Sequence, residues 1–160
     1  MRSVCSRAKG WRTSRSDHKV DAEDRRKLAV TTFNRVWELL ELPTRTEAEV
    51  DEMIHAAHVS CYVWSQVGVP ANGARGEWQC ARVYATLGRA EPALWHARRC
   101  LELTEAGGEG FQDWDLPGAQ QAMAHAHVAA GELEEARRCL ARISTEWDDA
   151  LARLKTSVER

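Results

Sequence analysis

The sequence predicts an all-α fold of about six helices, folded as antiparallel hairpins that stack into an alpha-solenoid. Three observations predict it. Apolar residues recur at three- and four-residue steps along most of the chain, and no segment alternates with the period of a strand. Glycine and proline punctuate these stretches at short links, which make consecutive helices antiparallel neighbours. A pattern near the middle also returns 43 residues later. Its first copy runs Ala81-Arg82-Val83-Tyr84-Ala85-Thr86-Leu87-Gly88, followed by Ala93 and Ala97. Its second runs Ala124-His125-Ala126-His127-Val128-Ala129-Ala130-Gly131, followed by Ala136. In each copy the glycine sits seven residues after one small residue and five before another. That layout lets two helices turn tightly and pack closely.

The first helix is expected over Val20 to Glu41, where Leu28, Ala29, Phe33, Val36, Trp37 and Leu40 form one apolar stripe. Pro43 stops it. Thr46, with Glu49 three residues on, supplies a capping box for the second helix. That helix runs to about Val67, ended by Gly68 and Pro70. The third starts near Ala71–Arg75 and ends at Gly88. Glu91-Pro92 opens the fourth, since proline fits a first helical turn. Gly107-Gly108-Glu109-Gly110 then reads as a flexible hinge or loop tip. Asp115 is expected to cap the fifth helix, with Pro117 in its first turn, and Gly131 closes it. The sixth begins at Glu132. It either continues, bent near Ser144, to the C-terminus, or gives way at Ser144-Thr145-Glu146-Trp147 to a seventh helix.

The 160 residues suit one domain, expected over residues 20–160. Residues 1–19 read as a flexible basic tail. They hold six Lys/Arg and one acid, which leaves sixteen basic and twenty-three acidic residues for the domain. Such a tail suits a solvated leader better than a nucleic-acid contact. The five cysteines, Cys5, Cys61, Cys80, Cys100 and Cys139, form no C-x-x-C, so neither a structural zinc motif nor a disulfide framework is expected. Reduced thiols in a cytoplasmic protein follow. No apolar run follows the N-terminal charges as in a secretory signal, and none is long enough for a bilayer.

The segments around Gly88 and Gly131 resemble tetratricopeptide repeats. Tyr84, Gly88, Ala93 and Ala97 match that pattern in the first copy. Gly131 and Ala136 match in the second, with His127 in the seat of Tyr84. The similarity covers roughly residues 74–143, with a spacing longer than the family's usual repeat because of the glycine-rich insert. Met53 through Leu103, with HAAHVSCYVW and ARGEWQCARVYATLGRAEPALWHARRCLEL, also resembles a group of small uncharacterised bacterial tetratricopeptide-like proteins. The resemblance implies a soluble helical scaffold and brings no activity with it. It further implies a concave groove lined by the first helix of each hairpin. Matching positions are Arg75, Trp78, Arg82 and Thr86 in the third helix, and Gln121, His125 and Val128 in the fifth.

The residues themselves fit that role. Trp78, Arg82 and Thr86 lie at steps of four on one helical face. Arginine offers a planar fork to carboxylates and tryptophan a rigid apolar wall, so the groove Arg75, Trp78, Arg82, Gln121 and His125 would suit an acidic protein or peptide segment. The competing reading pairs Arg75 and Arg82 with acids of this chain, such as Glu77 or Glu38. A second expectation is a small-molecule pocket, or an enzyme site, between the first two hairpins. Its walls would be His55, His58, Tyr62 and Trp64, with Trp78. Asp51, His55 and His58 share one face of the second helix at spacings that could hold a metal. Glu52-x-x-His55 also matches one half of a di-metal carboxylate motif, but no second copy is found, so no metal and no cofactor are assigned. His96 and His127 read as packed side chains. No nucleophile elbow or phosphate loop is present, so no catalytic residue is assigned. A homodimer seam through Trp114 or Trp147 is the third expectation.

Overall fold

The computed structural model describes residues 21–158. The basic tail expected over residues 1–19 lies outside them. Six helices follow one another: α1 (Ala22–Leu40), α2 (Glu47–Val67), α3 (Pro70–Thr86), α4 (Ala90–Ala106), α5 (Asp115–Ala129) and α6 (Leu133–Val158). The described residues contain no strand. None of these helices is long and apolar enough to cross a membrane.

Local chemistry sets the helix ends. Thr46 N–H donates to Glu49 Oε2 at 2.8 Å, and Glu49 N–H donates to Thr46 Oγ1 at 3.3 Å, closing the expected capping box. Past the end of α1, the Arg45 guanidinium donates to the carbonyls of Leu39 (2.5 Å) and Leu40, two of the acceptors that a helix terminus leaves open. The two copies of the repeat end their leading helices in the same way. Gly88 and Gly131 have φ of 67° and 75°. After α3, Arg89 N–H reaches back to Tyr84 C=O (2.9 Å) and Gly88 N–H to Ala85 C=O (3.1 Å). After α5, Glu132 N–H reaches His127 C=O (2.9 Å) and Gly131 N–H reaches Val128 C=O (3.0 Å). Both turns are Schellman motifs, and the left-handed backbone they need favours glycine.

One sequence expectation changes, and one choice left open is decided. Asp115 does not cap α5. The N-cap position is Trp114, and the Asp115 carboxylate accepts instead from Gln112 N–H (2.7 Å) and from a guanidinium 40 residues upstream. An ionic partner outbids a neutral amide for a buried carboxylate. The α6 helix runs unbroken past Ser144, because no proline or glycine interrupts it and Thr145 Oγ1 donates to Ala141 C=O (3.2 Å) inside the helix. Residues 107–110 fall in the link between α4 and α5, where Arg75 Nη2 donates to Gly110 C=O (3.0 Å) and Ala71 N–H to Glu109 C=O (3.4 Å).

Helices α1 and α2, α3 and α4, and α5 and α6 pack as pairs, and the pairs meet through α2 on α3 and α4 on α5. The α3 helix also runs beside α5 and touches α1. One core joins Val36 and Leu39 of α1, Met53, Ala56 and Ala57 of α2, and Cys80 and Val83 of α3. Full burial of a side chain the size of Leu39 or Met53 stabilises by about 1.5–3 kcal/mol. A second core is an alanine seam: Ala81, Ala93, Ala97, Ala122 and Ala126 bring α3, α4 and α5 together. Two buried polar side chains tie α1 down. Ser60 Oγ donates to Ala29 C=O (2.9 Å), and Gln79 Nε2 donates to Phe33 C=O (2.9 Å).

Candidate functional site

The α1, α3 and α5 helices, with contributions from α4 and α6, wall a pocket of about 470 Å³. Its apolar lining comes from Phe33 and Trp37 on α1, Trp78 on α3, Trp114 before α5 and Ile143 on α6. Phe33 meets Trp37 edge-on at 6.4 Å, and Trp37 lies 5.5 Å from Trp78, so three rings form a continuous wall. Gly118 faces Trp78 across α3 and α5, where a Cβ would stand 3.9 Å from the indole nitrogen. The absent side chain leaves the floor open.

One edge of the pocket is ionic. Arg75 Nε and Nη2 donate to the two carboxylate oxygens of Asp115, each at 2.8 Å. The Asp115 side chain is 4% exposed and that of Arg75 is 28% exposed. The guanidinium lies 4.3 Å over the Trp114 ring. Bidentate pairing, a cation–π contact and the bond to Gly110 C=O together engage the arginine within the chain. Its partner is Asp115, not the Glu77 or Glu38 considered from sequence. Glu38 pairs with Arg35 at 2.9 Å, and Glu77 with His96 at 2.6 Å.

Of the five expected groove residues, Arg75, Trp78 and Gln121 line this pocket. Arg82 and His125 lie outside its lining and pair with each other, Arg82 Nη1 donating to His125 Nε2. Burial, and then the Arg82 charge, hold the His125 imidazole below its ordinary pKa, so the ring accepts as a neutral base. Thr86 and Val128 are exposed beyond them. The leading helices of the two repeat copies therefore do stand side by side.

The alternative set does not converge. Tyr62 is 66% exposed and His55 is exposed. Trp64 lines a separate pocket of about 410 Å³ beside Cys61, Pro70, Glu77 and Leu103. Trp78 belongs to the first pocket, with α1 in place of α2 opposite it. His58 turns inward, where its Nε2 lies 2.9 Å from Tyr84 Oη and its ring 5.2 Å from His96. Asp51 is exposed and takes no part. His127 packs as expected, its Nδ1 satisfied by Glu132 Oε2 at 2.7 Å. Trp114, named for a dimer seam, lies under the Arg75 guanidinium and is 50% exposed, and the side chain of Trp147 lies outside the described ones.

Sequence reasoning missed Phe33, Trp37, Trp114 and Asp115. The first two were absorbed into the apolar stripe of α1. A signal did exist: Ala29, Val36 and Leu39 are fully buried on one side of that helix, while Phe33 and Trp37 sit half-buried at i, i+4 on another. No protein-family model, no curated protein and no solved structure matches the chain.

Proposed function

We propose that this chain is a tetratricopeptide-like interaction module that seats an apolar or aromatic anchor of a partner segment in the pocket between α1, α3 and α5. One observation carries the reading: three tryptophans and a phenylalanine wall a hollow whose single strong cation is already neutralised. The paired helices and the twin glycine turns support the family resemblance. Of the two arginines expected to meet an acidic partner, Arg75 is neutralised by Asp115, while Arg82 keeps its charge beside the neutral His125. Recognition then rests on burial of the anchor, as at the centre of a protein interface. A free small apolar ligand is the second reading, favoured by the volume of about 470 Å³, which suits such ligands.

Gly118→Leu tests both. The new side chain enters the pocket, and leucine is the better helix former, so the fold is kept. Panning a random peptide library on the full chain is expected to enrich sequences with one large apolar residue. Their affinity should fall at least tenfold in the variant, or about 1.4 kcal/mol. Peptides that bind wild type and Gly118→Leu equally would place recognition elsewhere. If no peptide is enriched but a small aromatic compound such as naphthalene binds wild type alone, the second reading replaces the first.

A further inference from the structure

We propose that His58, Cys80 and His96 form a Zn²⁺ site at the junction of α2, α3 and α4. One ring nitrogen from each histidine and the Cys80 sulfur all lie within 4.8 Å of one another. Three different helices supply them, so the tertiary fold alone brings them together. Two imidazoles and a thiolate are a donor set that suits zinc, with a fourth position left open.

The surroundings resemble those of a prepared ligand set. His96 is buried, and its Nδ1 lies 2.6 Å from Glu77 Oε2. A carboxylate there fixes the proton on Nδ1 and leaves the lone pair on Nε2, the arrangement that orients metal-binding histidines. Tyr84 stacks on the His96 ring at 5.6 Å and 11°, and Trp95 meets its edge at 4.8 Å. The ring is therefore held in plane and in rotation. Cys61 stands beside Cys80, on the same helix as His58 and three residues from it. Gly76 makes room for this approach: a Cβ there would lie 3.0 Å from both Cα and Sγ of Cys61. Cys61 and Glu77, the neighbours of the cluster on α2 and α3, line the pocket of about 410 Å³.

Binding converts the Cys80 thiol to a thiolate. The S–H bond breaks, its electron pair forms the Zn–S bond, and the proton leaves to solvent. The sequence gives a partial hint in retrospect, since His58-x-x-Cys61 and Glu77-x-x-Cys80 each place two donors on one helical face.

The test uses the full chain, stripped with a chelator and kept reduced. Zn²⁺ is titrated against a chromophoric competitor, and Co²⁺ is added separately as a spectroscopic probe. The expected result is one equivalent per chain, a rise in melting temperature with Zn²⁺, and a thiolate-to-cobalt charge-transfer band. Cys80→Ser should remove that band. Glu77→Gln, which spares the ligands, should weaken affinity about 10–100-fold. His55→Gln, at an exposed position on α2, should leave it unchanged. A wild-type chain that takes up no stoichiometric Zn²⁺ overturns the proposal without reference to any variant. So does a cobalt band that survives in Cys80→Ser.

Discussion

Replacing Asp115 by asparagine keeps the side-chain shape and removes one charge. In the native chain the carboxylate accepts from Arg75 Nε, Arg75 Nη2 and Gln112 N–H at 2.8, 2.8 and 2.7 Å. A carboxamide cannot accept on both ends, so an –NH₂ must face either the guanidinium or the Gln112 amide. Breaking a buried pair from one side typically costs about 3–5 kcal/mol. Here Arg75 retains 28% exposure and its contact with Trp114, so water and the indole recover part of the loss. About 2–3 kcal/mol is the resulting expectation for Asp115→Asn. At about 2–4 °C per kcal/mol for a chain of this size, the melting temperature should fall by roughly 5–10 °C. Urea denaturation followed by circular dichroism measures the cost, with the slope unchanged if the native fold is kept. The companion variant is Arg75→Met, with the double mutant closing the cycle. A coupling of at least about 1.5 kcal/mol is expected, because each single change strands the other member of the pair and the double change strands neither. An Asp115→Asn chain within about 0.5 kcal/mol of wild type, or a strictly additive double mutant, would show that the pair holds nothing together.

Two further outcomes follow from the geometry. Gly88→Ala and Gly131→Ala each force a Cβ into left-handed backbone with nothing within 4 Å, so the cost is purely conformational, about 1 kcal/mol at either site. Denaturation should give matching losses; a marked inequality would deny that the two turns are equivalent. The second concerns acid. His125 has its pKa lowered on folding, so between the folded value and the ordinary value of 6.5 the unfolded chain binds more protons. Its contribution to stability is complete above that ordinary value and is lost as pH falls through it. Melting curves from pH 8 to pH 5 should show a decline that shrinks in His125→Asn; an unaltered slope would assign the decline to other groups.

What could be read from the sequence was what local physics decides. Gly88 and Gly131 announce themselves because few other residues accept their backbone, and Thr46 with Glu49 completes its own hydrogen bonds within one turn. The side-by-side placement of Trp78 and Gln121 also followed, since it needs only the repeat. The ionic edge did not. Asp115 before Pro117 looks like a helix cap in isolation, and only the approach of α3 to α5 supplies the guanidinium that claims it. The His58, Cys80 and His96 cluster spans three helices, and its spacing along the chain carries no motif.

The alanine seam has a bearing on the calibre of the tryptophan pocket. Trp78 packs against Ala81, Ala93, Ala97, Ala122 and Ala126 on one side and faces the hollow on the other. Alanine methyls meet where α3, α4 and α5 join, so an enlargement there presses the helices apart. A valine at Ala122, which is not part of the pocket lining, would act on its width from behind. Selectivity for the size of what enters can thus be adjusted through positions that never touch it.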